Sequence, residues 1–336
     1  MQRLLVKAFG DVYLKLSGKY TDNNLCHCAY YYPFLFKEVF RQLGQESLFI
    51  GQEVFEDKII TEAKEDDILF FWGLESFVFD REYSLKLLKE HKGKKVLYIT
   101  CQSDEELIKY FDYIFATEWE GYKEYYQTKY PDKKVFVVPF ASPLFSFIDE
   151  VQMNPYQDDS YKIIYTGIIT QRSLGILNKL ADLENLYVGG IYAPPSGSGC
   201  RKFTHKEVRT LLNPKIKLII PNGNFFYGYH FPYLKFADLG LNFFPNPNAD
   251  SKPLSSKIID YLVCGLPVVS EEGNVGNFRL DILKAGTNCK WDDFNDLQIA
   301  IMATKFCKLN KQKIKQEARE IFNPLTVGQT ILKEVL

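Results

Sequence analysis

Short runs of consecutive apolar residues alternate with segments of helical periodicity along the first part of the chain. Such runs predict strands buried on both faces, because a strand with one solvent face would alternate apolar and polar residues. Segments between them, such as Pro33–Leu43 and Tyr83–His91, have helical spacing and end at Gly44 and Gly93. The alternation predicts a parallel sheet covered by helices. Its predicted strands are Leu4–Phe9, Ser47–Ile50, Asp67–Trp72, Lys95–Thr100, Tyr113–Thr117 and Lys134–Phe140.

A polar segment without apolar periodicity, Asp149–Tyr161, interrupts this pattern before it resumes. Asn323-Pro324 breaks the chain again near its end and leaves a last helix at Leu325–Leu336. The pattern predicts an α/β protein with two Rossmann-like domains, residues 1–150 and 161–322, whose ligands bind in a central cleft beyond the carboxyl ends of the strands. The strands predicted for the second domain are Tyr161–Thr166, Leu186–Gly189, Lys217–Ile220, Leu239–Phe244 and Pro267–Ser270.

The charge distribution narrows the range of partners. Residues 1–150 carry 19 basic and 25 acidic residues, whereas residues 305–336 carry 7 basic and 3 acidic residues. An acidic first domain is a poor surface for a polyphosphate backbone, so nucleic acid is an unlikely partner. The basic C-terminal segment could contact an anionic membrane surface, and a solvated helix face is the alternative explanation.

Composition indicates a globular protein rather than a membrane or disulfide-rich one. Hydrophobic residues make up 46% of the 336 residues and charged residues 25%. The seven cysteines are scattered, which does not suggest a disulfide framework. The sequence shows neither a membrane span nor a signal peptide, so we expect a cytoplasmic protein, with peripheral membrane contact as an option.

The most informative segment is Pro253–Ser270, with the sequence PLSSKIIDYLVCGLPVVS. Ser255 and Ser256 can cap a helix that Gly265 would end. The free N–H groups and positive dipole end of this helix would attract a phosphate. Lys257 adds a charge beside them, and Asp260, one turn later, could accept hydrogen bonds from ribose hydroxyls. A capped helix with solvated Lys257 and Asp260 is the structural alternative.

This segment resembles the C-terminal signature of GT-B glycosyltransferases, in particular the large retaining group often called family four. In that family the signature contacts the diphosphate and the ribose of the sugar donor. The chain departs from it with Asp260 in place of the usual Glu and with Cys264 before the glycine. The matching positions are Ser256, Lys257, Tyr261, Gly265, Pro267, Val268 and Val269.

Three further segments strengthen the resemblance. Tyr165-Thr166-Gly167 followed by Arg172 is similar to the first strand and glycine loop of the donor domain, where the basic residue pairs with donor phosphates. Gly228-Tyr229 stands where related enzymes pass the backbone beside the nucleobase, and Phe236–Leu241 resembles the stretch before the sugar-nucleotide loop. The resemblance covers residues 161–275 by motif and the first half by topology alone.

The resemblance implies a cation-assisted transfer. A nucleoside diphosphate leaving group gains negative charge as the sugar–oxygen bond breaks, and Arg172, Lys257 and a helix N-terminus could stabilise that charge. No convincing DxD motif is present. We therefore expect no cofactor and no metal.

The catalytic base is harder to identify. An inverting enzyme needs a carboxylate or imidazole to deprotonate the acceptor hydroxyl. Asp104 and Glu118 each follow a predicted strand of the first domain, at the edge where the acceptor would lie. The structural alternatives are a helix N-cap for Asp104 and an acidic helix start for Glu118.

The resemblance predicts a glycosyltransferase that moves a sugar from a UDP- or GDP-sugar to a hydroxyl of a glycan or glycolipid. Three alternatives remain at this point: a phage-type DNA glucosyltransferase, a nucleotide-sugar epimerase, and a non-catalytic protein that binds sugar nucleotides. The net charge of the first domain disfavours the DNA-modifying alternative. The sugar, the nucleobase and the acceptor are not specified by the sequence.

Overall fold

The chain divides into two compact units, Met1–Pro143 with Phe322–Leu336, and Leu144–Ile321. The description rests on a computed structural model. The residues it describes are 2–7, 31–51, 59–72, 81–99, 105–117, 122–142, 148–149, 151–169, 171–192, 209–219, 230–243, 256–273, 280–281 and 283–336.

Each unit is built around one sheet in which every pairing is parallel. The strands of the first sheet are β1 Leu4–Lys7, β2 Ser47–Ile50, β3 Ile59–Ile60, β4 Ile68–Trp72, β5 Lys95–Ile99, β6 Tyr113–Thr117 and β7 Lys134–Val138. Those of the second are β8 Ile163–Ile169, β9 Leu186–Tyr192, β10 Lys217–Leu218, β11 Leu239–Asn242, β12 Val268–Glu271 and β13 Gly286–Cys289. The first sheet has the order β3-β2-β1-β4-β5-β6-β7 and the second the order β10-β9-β8-β11-β12-β13.

Helices connect and cover these strands, as parallel pairing requires. In the described residues they are α1 Tyr31–Gln42, α2 Arg81–Glu90, α3 Glu105–Ile108, α4 Tyr122–Lys129, α5 Gln171–Leu180, α6 Phe231–Phe236, α7 Ser256–Val263, α8 Phe294–Phe306, α9 Lys311–Ile321 and α10 Pro324–Val335.

Aromatic side chains of α1 pack on one face of the first sheet. Phe36 lies 4.9 Å from the ring of Phe70 and 4.8 Å from that of Tyr98. The last helix, α10, returns to this unit and lies against α1, where a Cβ on Gly328 would come within 2.3 Å of Val39. Only a glycine permits this close approach of the two helices.

The second unit begins at Leu144, a few residues before the predicted end of the first domain at residue 150. Side-chain contacts join the polar segment at Asp149 and Val151 to this unit. Asp149 binds Lys315 and Arg319 of α9, and the Lys235 ammonium donates to the backbone carbonyl of Val151. These contacts attach the polar segment after Leu144 to the second unit.

Two strands lack the apolar run that predicts a strand, so neither was predicted from the sequence. β3 has two residues, and β13 has the sequence GTNC, in which only Cys289 is buried. Both strands join their sheets through parallel backbone pairing, β3 with β2 and β13 with β12. Their place in the sheets therefore depends on register rather than on side-chain pattern.

A helix long and apolar enough to cross a membrane does not occur among the residues described.

Candidate functional site

The strand order of the second sheet reverses between β8 and β11, which lie side by side at its centre. In open parallel sheets, ligands bind beyond the carboxyl ends of the strands at such a reversal. Three described residues meet at this place: Gly167 in β8, Phe243 directly after β11, and Lys257 in the first turn of α7.

Lys257 extends from α7 across the ends of β8 and β11. Its Nζ donates a hydrogen bond to the backbone carbonyl of Phe243 at 3.1 Å. The same nitrogen lies 5.0 Å from the ring centroid of Tyr165 and 5.5 Å from that of Phe243. These two rings stack on each other 4.3 Å apart. One hydrogen bond and the stacked pair of rings therefore position the amine at the reversal point.

The surroundings of Lys257 disfavour its charged form. Burial lowers the pKa of Lys257 to about 7, and the carboxylate of Glu271 only partly opposes this shift. No carboxylate in the described part of the chain forms an ion pair with Lys257. An anion bound against Nζ would stabilise the ammonium, and the ammonium would in turn bind that anion.

Gly167 provides the space that Lys257 occupies. Its φ angle is +124°, in a region that side-chain-bearing residues rarely adopt. A Cβ at this position would lie 2.9 Å from Cδ of Lys257. The predicted glycine loop is thus part of a strand that continues to Ile169. The absence of a side chain at Gly167 leaves room for the side chain of Lys257.

Tyr261 fixes α7 to the two central strands, a role that the sequence analysis did not assign. Its hydroxyl accepts a hydrogen bond from Thr166 N at 2.9 Å and donates one to Leu241 O at 3.1 Å. A Cβ on Gly240 would lie 2.5 Å from the Tyr261 ring. Because Tyr261 lies one turn after Lys257, this packing sets the position of the lysine.

The end of α7 matches the sequence prediction, which placed the helix stop at Gly265. Gly265 has a φ of +80°. The N–H of Leu266 donates to Tyr261 O and that of Gly265 to Leu262 O, the pattern of a Schellman cap. The helix is therefore held between Tyr261 and a glycine cap, and the prediction is confirmed.

Arg172 lies at the same carboxyl edge, but carboxylates of the protein already bind it. Its Nη2 and Nη1 donate to Glu271 at 2.6 and 3.1 Å, and its Nε donates to Asp292 at 3.2 Å. These bonds, those to Glu271 above all, raise the pKa of Arg172. A donor phosphate would have to compete with Glu271 and Asp292 for this guanidinium. Lys257, unlike Arg172, forms no ion pair with a carboxylate of the described residues.

Asp260 lies one turn after Lys257 and is 5% exposed. Ser256 is the first residue of α7. The contacts predicted for both with the donor stay predictions. The other predicted site residues lie outside the described residues: Asp104, Glu118, Gly228, Tyr229 and Ser255.

A cluster of three or more His, Cys, Asp or Glu side chains with metal-binding geometry is not found in the described ranges. The expectation of a metal-free reaction stays a prediction.

Several solved structures are similar to this chain over nearly its whole length. The chain is similar to sucrose-phosphate synthase from Thermosynechococcus elongatus, with a TM-score of 0.64 and 12% identity over 99% of this chain and 98% of that one. A glycosyltransferase from Rickettsia africae gives a TM-score of 0.62 at 12% identity, with the same coverage. Anabaena HepE, solved in complex with UDP, gives 0.60 at 13% identity over 99% of both chains.

The chain has the GT-B fold. The predicted fold class, two Rossmann-like domains, is confirmed by these full-length similarities and by the two parallel sheets. No protein family matches the sequence. No curated protein matches it either. At 12 to 13% identity, the GT-B structures establish the fold of this chain and leave its reaction to be argued from the site.

Proposed function

We propose that this protein is a glycosyltransferase that moves a sugar from a UDP- or GDP-sugar to a hydroxyl of a glycan or glycolipid. The observation that carries the proposal is the position of Lys257, a lysine held on two aromatic rings at the reversal point of the second sheet. The GT-B fold supports the same conclusion, since HepE, one of its similar structures, was solved with UDP.

The proposed reaction uses Lys257 on the leaving group. The acceptor oxygen forms a bond to the anomeric carbon and loses its proton, while the nucleoside diphosphate departs with the electrons of the broken sugar–oxygen bond. The Lys257 ammonium stabilises the negative charge that develops on the diphosphate. This arrangement supports a metal-independent transfer, in which a protein cation neutralises the phosphates.

The remaining roles follow from the family resemblance. We propose that Gly167, Gly228, Tyr229, Ser255, Ser256 and Asp260 contact the donor nucleotide. Arg172 joins them when a phosphate displaces Asp292 or Glu271 from its guanidinium. The first unit binds the acceptor. In an inverting transfer, Asp104 or Glu118 accepts the proton of the acceptor hydroxyl.

The first experiment measures binding of UDP, GDP, CMP, dTDP and ADP by thermal shift and calorimetry, each with and without magnesium. A nucleotide that binds the folded state raises the melting temperature by mass action. We expect UDP or GDP to bind without magnesium and the other nucleotides to bind less tightly. An absence of binding by every nucleotide would overturn the donor site.

The second experiment changes the cation. Lys257→Ala should weaken binding of the preferred nucleotide by about 2 kcal/mol, roughly 30-fold, because it removes a charge-assisted contact to phosphate. Lys215→Ala is the matched control, since Lys215 belongs to the same unit and its side chain is 63% exposed. Equal affinity in wild type and Lys257→Ala would show that the phosphates bind elsewhere.

Activity is then measured as transfer of labelled sugar to glycan and glycolipid acceptors. Donor binding without transfer or hydrolysis under any acceptor would support the non-catalytic alternative. Transfer that survives exhaustive chelation is the expected result for a metal-independent enzyme.

A further inference from the structure

Helix α8 has apolar residues on both of its faces. The inner face, with Leu297 and Ile301, is buried in the core of the second unit against β12 and β13. The outer face carries Ile299, Met302 and Phe306, which are 64%, 53% and 76% exposed. A surface helix ordinarily presents charged or polar residues to solvent. The folding of the second unit therefore does not account for apolar side chains at these three exposed positions.

The three exposed residues form one line along the helix. Their spacing of three and four residues places them within about 60° of the helix circumference, opposite the inner face. We call this line the outer stripe of α8. Exposed apolar residues that lie singly are normal, but a contiguous group marks an interaction surface.

Charge differs between the two ends of the outer stripe. Asp292 and Asp293 precede α8, whereas Lys308 and Lys313 follow it. The other two lysines of the segment Phe306–Lys315 are paired with Asp238 and Asp149. Lys308 is exposed, and no carboxylate in the ranges described forms an ion pair with it. The side chain of Lys313 is 64% exposed, and its ion-pair partner among the described residues is Glu317, at 3.7 Å.

The acidic and basic ends lie far apart. Thirteen residues of helix separate Asp293 from Phe306, a distance of about 20 Å. This exceeds the Debye length of about 8 Å at physiological ionic strength. A negatively charged surface near Phe306 would thus be attracted by Lys308 and Lys313 with little repulsion from the acidic end.

We propose that the outer stripe of α8, with Lys308 and Lys313, docks the protein on an anionic lipid bilayer. Phe306 and Met302 enter the headgroup region, and the two lysines contact the lipid phosphates. A second copy of the chain fits less well, because three side chains provide far less than the roughly 800 Å² per partner of a stable interface. The docking does not depend on the proposed activity.

The test is co-sedimentation of the full chain with vesicles. One set is pure phosphatidylcholine, and the other contains about one third phosphatidylglycerol, an anionic composition that attracts basic segments. We expect binding to the anionic vesicles only, decreasing as salt is raised. Equal binding to both vesicles, or binding to neither, would overturn the proposal.

Two double variants separate the apolar and charged contributions. Met302→Ser with Phe306→Ser should reduce partitioning about ten-fold or more, because both side chains lose their contact with lipid. Lys308→Glu with Lys313→Glu should abolish the preference for anionic vesicles. The control is Met153→Ser, since Met153 is 80% exposed but lies outside α8.

Sedimentation equilibrium without lipid identifies the competing partner. A dimer that Met302→Ser with Phe306→Ser dissociates would show that the outer stripe binds a second copy, which would refute the membrane proposal. Nucleotide affinity and the circular dichroism spectrum of these variants should equal those of the wild type. Loss of vesicle binding with retained nucleotide affinity keeps this proposal distinct from the proposed function.

Discussion

Each unit contains an arginine bound to a carboxylate through two hydrogen bonds, and the two pairs lie at opposite edges of their sheets. Arg3 donates to Asp67 at 2.8 and 2.6 Å, just before β1 and β4 begin. Arg172 donates to Glu271 at 2.6 and 3.1 Å, where β12 ends. The chemistry is the same, but one pair lies at the amino edge of a parallel sheet and the other at the carboxyl edge.

The edge of the sheet decides what each pair can do. Ligands of open parallel sheets bind at the carboxyl edge, so we expect the Arg3–Asp67 pair to stabilise the structure without affecting ligand binding. Burial alone would raise the pKa of Asp67, but hydrogen bonds from Arg3 and from Lys64 N outweigh it and lower that pKa. The Arg172–Glu271 pair, in contrast, lies close enough to Lys257 for Glu271 to influence its charge.

The largest effect is expected from breaking the structural pair. Asp67 is 1% exposed, so Asp67→Asn leaves the Arg3 guanidinium without its carboxylate in a half-buried place. We expect a loss of about 3 kcal/mol in the free energy of unfolding, measured by urea denaturation, with unchanged nucleotide affinity.

The matched control for Asp67→Asn is Arg41→Ala, which breaks the pair of Arg41 with Glu38. Both side chains of that pair are exposed, by 63% and 47%. We expect a loss of at most about 0.5 kcal/mol there. A reduced nucleotide affinity in Asp67→Asn would contradict the prediction that the pair at the amino edge stabilises the fold without affecting nucleotide binding.

The next effect is a pH dependence of nucleotide binding. With a pKa of about 7 in the free protein, Lys257 is charged below pH 7 and neutral above it. Bound diphosphate favours the charged form, so binding takes up a proton above pH 7. Affinity should reach its full value below pH 7, where Lys257 is charged, and fall by up to ten-fold per pH unit above pH 7 until the pKa of the complex is reached.

Calorimetry in buffers of different ionisation enthalpy would measure this proton uptake. The Lys257→Arg variant should bind with an affinity that is independent of pH over the same range, because arginine stays charged. The stability of the free protein depends on pH in the opposite direction. Because the pKa of Lys257 is lower in the folded chain than in the unfolded one, its contribution to the stability of the free protein increases as pH rises above 7.

A smaller effect is expected at the carboxyl-edge pair. Glu271→Gln removes a negative charge beside the proposed phosphate site and frees Arg172 for the ligand. We expect nucleotide affinity at pH 6.5 to increase by about 1 kcal/mol, roughly five-fold. The pH at which affinity falls should shift downward, because Glu271 raises the pKa of Lys257. An unchanged affinity together with an unchanged pH profile would show that the Arg172–Glu271 pair does not influence the proposed phosphate site.

The smallest effect is expected from the outer partner of Arg172. Asp292 has a side chain that is 80% exposed, and it contacts Arg172 at 3.1 Å. Asp292→Asn should change both stability and nucleotide affinity by less than about 0.5 kcal/mol, because solvent screens exposed pairs. A change as large as that of Glu271→Gln would show that the exposed fraction of each carboxylate does not determine how strongly it affects nucleotide affinity.

Much of the fold could be predicted from the sequence because its elements have strong local signals. Each predicted strand overlaps an observed strand, and the helix at Ser256–Val263 ends at the glycine that the pattern indicated. β13 escaped prediction because GTNC has no apolar run and pairs through its backbone. Lys257 and Gly167 were predicted as separate parts of a phosphate site, but the sequence did not indicate their mutual contact.

Most strands and helices of this protein, and the residue types of the proposed phosphate site, could be predicted from the amino-acid sequence alone, because apolar periodicity and capping signals act over a few neighbouring residues. Which charges remain available to a ligand depends on contacts between distant parts of the chain. Arg172 is neutralised by Glu271, 99 residues away, and Lys257 is positioned by Tyr261, whose hydroxyl binds Thr166 from 95 residues away. Such partners meet because parallel strands place their carboxyl ends at one edge, and no local pattern specifies which side chains meet there.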